Sequence, residues 1–282
     1  MKLILKKVHV YLYAASVALL YFILWPFFYF LSRKPSRYYA LDKLRAFWGL
    51  VSSAIAGFFY RFEYEEAIDW SRNYIICPNH TSNLDITAMC ILTKNEHCFM
   101  GKEELLDSFV TRLFFKTVDI PVNRESKMSS YRAFKKATER IKEGISLIIF
   151  PEGAIPPHYP PKLIEFKNGP FRLAIEQQVP IIPVSSINAW KLLWDNGVKY
   201  GTHPGIVRFY VHKPIDTAGM TVDDADALRD RVYEMIRAKT EGEPHPALSK
   251  GEGFKTSEVL SSGEDLGEAS KTSEANPNSA TA

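Results

Sequence analysis

Cysteine is scarce in this chain: its 282 residues hold three, Cys77, Cys90 and Cys98. An odd number with no Cys-x-x-Cys pair supports neither a disulfide framework nor a zinc site, and it points to a reducing compartment. No metal motif is present either; His80, Asp85, Glu152 and His158 are ligand types whose spacing fits no such pattern. Nor is there a nucleic-acid-binding signature, because the basic residues are dispersed. No small-residue cleavage site follows the apolar N-terminal stretch, so it is not expected to be removed as a signal peptide. Acidic residues are thin before the tail. Of 35 basic residues 32 precede Glu241, against 24 of 32 acidic ones, a net of +8 that suits an anionic bilayer surface or a phosphate-bearing substrate. Beyond Thr240 large apolar residues are few and Ser, Glu, Gly, Lys and Ala dominate. Burial there cannot offset the entropy of ordering, so residues 241–282 are expected to form a disordered polar tail.

Apolar side chains are concentrated at the other end. Residues 8–31 are almost wholly apolar and aromatic, with His9 the only titratable side chain besides Tyr. That is long enough to cross a hydrocarbon layer of about 30 Å. Lys2, Lys6 and Lys7 precede it and Arg33, Lys34, Arg37, Lys43 and Arg45 follow it, so the positive-inside rule gives no orientation. A second apolar stretch, residues 47–60, is too short to cross. It either lies at the interface or pairs with the first as a re-entrant hairpin, Pro26 bending the first helix and both ends facing the cytosol.

Length and a hydrophobic content of 46% suit one sizeable core. The expected organisation is a membrane-associated helical segment (1–60), an α/β domain (61–240) and the tail. Within the domain, β-rich runs alternate with helical periods, the pattern of a mostly parallel sheet covered by helices. The predicted strands are residues 74–77, 97–100, 120–122, 146–150, 181–185 and 207–212. Met128, Tyr131, Phe134, Thr138 and Ile141 recur at helical spacing and predict one buried face, with Lys135, Lys136, Glu139 and Lys142 off it. A last helix is expected near Thr221, which has capping-box spacing to Asp224. Cys77 and Cys90 fall in apolar strand and helix patterns and read as buried structural thiols.

The chemistry concentrates in Asn79-His80-Thr81-Ser82-Asn83-Leu84-Asp85, between an apolar strand and a predicted helix. The H-x-x-x-x-D spacing is too long for one helical face but suits a turn in which Asp85 folds back on the His80 imidazole. Such a pair makes a general base: the carboxylate fixes the tautomer while the far ring nitrogen takes a proton from a hydroxyl. Ser82 lacks the Gly-x-Ser-x-Gly elbow of a nucleophile and reads as a turn or cap residue. An oxyanion could be met by backbone N–H groups near Asn83 and Leu84, at the helix start.

Further blocks follow at predicted strand ends: Gly101-Lys102-Glu103-Glu104-Leu105, Ile120-Pro121-Val122-Asn123-Arg124, Phe150-Pro151-Glu152-Gly153 and Val179-Pro180-Ile181-Ile182-Pro183-Val184. In order and spacing the set resembles the glycerolipid acyltransferase family over residues 60–215. The resemblance implies a base, His80, oriented by Asp85, and an acceptor glycerol-phosphate pocket at Arg124, Glu152 and Gly153. Lys102 is a second family-matched cation. The third block departs from the family: Ala154-Ile155-Pro156-Pro157 stands where Thr-Arg is usual, so a phosphate-binding Arg is missing. Lys162 or Lys167 can substitute, the latter in a Phe-Lys-Asn-Gly segment like the family's. What the family implies is a membrane enzyme with no cofactor and its catalytic domain on the cytoplasmic side. It would take acyl from acyl-CoA or acyl carrier protein to the sn-2 hydroxyl of lysophosphatidate, giving phosphatidate. A lyso-aminolipid acceptor, or a thioesterase or lipid hydrolase using the same His–Asp pair on water, is the alternative.

Overall fold

The structure, a computed structural model, describes residues 2–241. Apart from Glu241, the expected polar tail lies outside the described residues. The N-terminal apolar run forms one helix, α1 (Lys2–Leu31), with Pro26 inside it, and α2 (Tyr38–Ile55) returns beside it. The two run antiparallel: Ser16 Oγ donates to Ser52 O (2.9 Å), Trp48 Nε1 donates to Val17 O (3.0 Å), and His9 Nε2 meets Ala56 O (2.8 Å). The apolar stretch 47–60 is therefore not one unit. Its first part completes α2 and its end opens a strand, β1 (Phe58–Tyr64), so a boundary after residue 60 cuts through that strand. The alternation of aromatic residues with Arg61 and Glu63 is a strand pattern, hidden in the sequence by the apolar run that leads into it.

The chain continues through β2 (Ile75–Pro78), α3 (Leu84–Leu92), β3 (His97–Lys102), α4 (Phe109–Thr117), β4 (Ile120–Val122), α5 (Lys127–Lys142), β5 (Ser146–Ile149), α6 (Gly169–Gln177), β6 (Ile181–Ser186), α7 (Ala189–Leu192), β7 (Gly205–Val211) and α8 (Ala225–Glu241). The six strands read from the sequence all form, and β1 joins them in one seven-stranded sheet of order β1-β7-β6-β2-β5-β3-β4. All pairs are parallel except β6–β7, and β1 runs parallel to β7 from Phe58↔Gly205 to Tyr64↔Val211. Strands β2, β5 and β6 are buried at every position, as expected where helices cover both faces. Ile75, Leu147 and Ile181 belong to one apolar cluster with α5, α6 and α8, whereas Ile76, Ile148 and Ile182 belong to the other with α3 and β1.

The buried face of α5 differs from the predicted stripe. Ala133, Ala137 and Ile141 are buried with Phe134 partly so, while Met128 and Tyr131 are 59% and 67% exposed. Large apolar residues attract a periodicity argument, but the small Ala side chains are what let the helix backbone approach the sheet. The last helix starts as expected, Thr221 N donating to Asp224 Oδ2 (2.8 Å). All three cysteines are free and buried.

The hairpin is fastened to the α/β body along its length. Near the start of α1, Thr202 N donates to Lys6 O (3.0 Å); midway, Tyr21 OH donates to Phe109 O (3.3 Å); further on, Phe28 packs edge-on against Phe114 (5.3 Å). From α2, buried Arg45 donates twice to Asp119 (3.2 and 2.9 Å) and lies over the rings of Phe99 and Phe114. Asp119 Oδ1 also accepts from Phe99 N (3.0 Å), which ties α2 to β3.

Candidate active site

The central strand β2 delivers the chain into the turn 79–83, and α3 starts at Leu84, so His80 sits at the C-terminal end of the sheet. Asp85 is fully buried in the first turn of α3. Its Oδ2 accepts from Thr81 N (2.7 Å), Ser82 N (2.9 Å) and His80 Nδ1 (3.1 Å), and its Oδ1 accepts from Ser186 Oγ (2.7 Å). The turn thus wraps its own amides around the carboxylate, which explains the five-residue spacing. A carboxylate is an acceptor only, so Nδ1 carries the proton and Nε2 the free lone pair. The His80 ring stacks on Phe150 at 4.0 Å and keeps 15% of its side chain exposed, enough for a substrate to reach it.

Glu152 is brought to the same turn from below. Its buried carboxyl accepts from His80 N (2.7 Å) and Ile164 N (3.2 Å), and burial pushes its pKa up to about 8 despite those hydrogen bonds. It therefore holds the backbone of His80 and is not among the residues that line the cleft. Arg124, beyond β4, donates to Gly153 O (2.6 Å), and Gly153, at φ +79°, leaves room for it: a Cβ there would lie 1.9 Å from Nη1. Lys102 ends β3 and faces the same space.

That space is a cleft of about 1090 Å³ lined by His80, Asn83, Lys102, Arg124 and Gly153 among polar or small groups, and by Val17, Trp48, Val110 and Phe114 on its apolar side. A long apolar wall ending at a few convergent polar groups is the form of a site for an amphiphile. Of the predicted residues, His80, Lys102, Arg124 and Gly153 share it; Asp85 and Glu152 stand behind His80. Lys167 is exposed and does not line the cleft, its amide donating to Pro151 O (2.9 Å).

The oxyanion donors expected at the helix start are already used. Asn83 N donates to Asp195 O (3.0 Å) and Leu84 N to Ser82 Oγ (3.0 Å), which makes Ser82 the local turn residue it was read as. Sequence reasoning missed Ser186, two residues past the fourth block, and Asp195, whose N also donates to Thr81 O (3.2 Å). The signal for Ser186 was faint: a polar residue ending an apolar strand. Nothing local marked Asp195.

The model of the Acyltransferase family matches residues 60–187. An uncharacterised acyltransferase of Schizosaccharomyces pombe is 30% identical over 209 residues, 73% of this chain and 74% of that one. A 1-acyl-sn-glycerol-3-phosphate acyltransferase of Haemophilus influenzae is 30% identical over 171 residues, 58% of this chain and 67% of its own. Among solved structures, the 1-acyl-sn-glycerophosphate (LPA) acyltransferase PlsC of Thermotoga maritima has the same fold, with a TM-score of 0.69 at 23% identity over 86% of this chain and 98% of that one.

Proposed function

The chain belongs to the acyltransferase family, and from that premise we propose that it is a membrane-bound enzyme that moves a fatty acyl group from a thioester donor, acyl-CoA or acyl carrier protein, to the sn-2 hydroxyl of lysophosphatidate, giving phosphatidate. The observation that carries the proposal is the His80–Asp85 pair, held by four donors on one carboxylate, opening on a cleft with an apolar wall and two cations, Lys102 and Arg124. The name of the Haemophilus relative supports the choice of acceptor.

In this mechanism His80 Nε2 takes the acceptor's hydroxyl proton as the oxygen attacks the thioester carbonyl. The C–O bond forms, the C–S bond breaks, and the imidazolium returns the proton to the departing sulfur. Asp85 stabilises that imidazolium and fixes the ring. No acyl-enzyme is needed. Arg124, with a planar fork suited to two phosphate oxygens, and Lys102 hold the acceptor's phosphate. Glu152 acts on the His80 backbone rather than on the acceptor, and no second phosphate cation is assigned to Lys167.

The membrane reading rests on α1, which over Ile4–Leu31 is long and apolar enough to cross a bilayer. It is tied to the α/β body at Lys6, Tyr21 and Phe28, so in this proposal the hairpin lies in the cytoplasmic leaflet, its exposed Leu19, Phe22, Ile23 and Phe27 in lipid, and does not span.

One observation favours a second acceptor. Ala154, Ile155, Pro156 and Pro157 line the cleft where the family has Thr-Arg, which suits a lyso-aminolipid without a phosphate monoester. Acyl transfer by the purified, detergent-solubilised protein decides between them, offering both acceptors and following free thiol and lipid product beside His80→Ala. Phosphatidate formed by the wild type and lost in the variant supports the proposal. Transfer only to the aminolipid moves the acceptor. Thiol release without acylated lipid makes the protein a hydrolase.

A further inference from the structure

Trp194 is 8% exposed and lines the cleft, yet its indole N–H has no hydrogen-bond partner among the described residues. That N–H is itself sealed from solvent, so it offers the cleft no donor. The next residue, Asp195, is a non-glycine held at φ +54°, and its backbone is stapled to the catalytic turn at Thr81, Ser82 and Asn83. Backbone strain of that kind persists where the surroundings enforce it, and it collects at functional sites. Whatever this strap grips is therefore held in register with His80.

Outside the cleft mouth, Trp194 continues into an aromatic rim. Tyr159 packs on Trp190 (5.4 Å), Trp194 (5.9 Å) and Tyr200 (4.2 Å), and Lys199 Nζ lies 5.4 Å from the rings of both Trp194 and Tyr200. Lys191 Nζ stands 5.4 Å from Trp190. Tyr159 and Tyr200 are 43% and 37% exposed, so aromatic surface faces outward beside the ammonium groups. Trp190, Trp194, Lys199 and Tyr200 follow β6 on one side of β2, with Tyr159 reaching them from the segment after β5, whereas Lys102 and Arg124 end β3 and follow β4 on the other side. Two cationic ends thus flank the base. A transfer reaction brings two polar-headed substrates to one point, and the proposed function occupies only the β3–β4 end.

We propose that the rim of Tyr159, Trp190, Trp194, Lys199 and Tyr200 is the donor's headgroup site, and that its ligand is a phosphorylated nucleotide: the adenine stacks on the aromatic surface and the phosphates pair with Lys199 and Lys191. This rests on the acyl-transfer reading and makes the donor acyl-CoA. A contact with a lipid surface needs aromatic and Lys side chains, but not a strap that ties them to the turn carrying His80.

Calorimetry on the full chain in detergent tests it, with coenzyme A and 4′-phosphopantetheine, which lacks the nucleotide, as probes against wild type, Lys199→Glu and Tyr200→Ala. Coenzyme A is expected to bind more tightly than phosphopantetheine, and each variant to weaken coenzyme A alone, by about tenfold, the scale of one lost base stack. Equal binding of the two probes, or variants that leave coenzyme A binding intact, overturns the proposal; loss of binding to anionic phospholipid vesicles with coenzyme A unaffected also overturns it and assigns the rim to the membrane. Because binding is read without turnover, the two readings fail separately. Coenzyme A on the rim with no acyl transfer sinks only the proposed function, and transfer from acyl carrier protein with no coenzyme A binding sinks only the rim.

Discussion

At the residue scale the site is organised around one carboxylate. Ser186 reaches Asp85 Oδ1 from β6, opposite the turn that supplies the other donors. Asp85→Asn keeps the size and an acceptor for the Thr81 and Ser82 amides but removes the charge that stabilises the imidazolium, and kcat is expected to fall about 10²- to 10⁴-fold, the range a general base contributes. Ser186→Ala removes one hydrogen bond to a charged group, worth about 1.5–3 kcal/mol, and should lower kcat roughly tenfold or more. Steady-state kinetics at saturating acceptor check both, and a Ser186→Ala enzyme at full rate would show that the hydroxyl does not position the pair. The same scale sets the pH response. Glu152 keeps its proton to about 8 when folded against 4.5 for the free group, so its contribution to stability is full below 4.5 and is lost as pH rises through 8. Burial lowers His97 to about 3 and His212 to about 4, so their contribution is full above 6.5 and is lost as pH falls. Burial raises Asp42 to about 7 as well, so its contribution is full below 3.8 and is lost as pH rises through 7. Two groups gain and two lose between pH 4.5 and 6.5, so thermal melts should be level there and fall between 6.5 and 8, and Glu152→Gln should remove the part of that fall above pH 7.

At the element scale, α5 shows how a periodic pattern can have the right period and the wrong phase. Met128, Tyr131, Phe134 and Thr138 lie about one position round from Ala133 and Ala137, and the two rows meet at Ile141, which is buried as predicted. Ala137→Leu is expected to overpack the contact and cost about 1–3 kcal/mol, whereas Tyr131→Ala should stay within about 0.5 kcal/mol. Urea denaturation separates them, and similar losses in the two variants would restore the predicted face. The strands were legible because central parallel strands are apolar on both faces. β1 was not, because its pairing with β7, about 145 positions away, is invisible to local pattern.

At the scale of the whole molecule, the N-terminal hairpin is part of the cleft and not a detachable anchor, since α1 and α2 supply Val17 and Trp48 to its wall. Arg45 is the electrostatic fastening. Arg45→Met leaves Asp119 buried beside an apolar chain and should cost about 3–5 kcal/mol, while Arg45→Met with Asp119→Asn removes the stranded charge, keeps an acceptor for Phe99 N and should recover most of it. Denaturation of the single and double variants measures the difference; an unaffected single variant would mean the ion pair contributes nothing.

The sequence by itself determined the meeting of His80 and Asp85, because a turn of fixed length between strand and helix brings the two side chains within reach. It also determined the parallel sheet and the apolar N-terminus, both of which rest on composition within a short window. Tertiary structure decided what depends on distant segments meeting. It turned Glu152 from the acceptor pocket to the His80 backbone, committed the Asn83 and Leu84 amides to other partners, and set Lys167 outside the cleft. It brought Ser186 and the Trp194–Asp195 strap to a site about 100 positions earlier in the chain. A hydrogen bond has direction as well as partners, and direction is fixed only when the sheet has assembled.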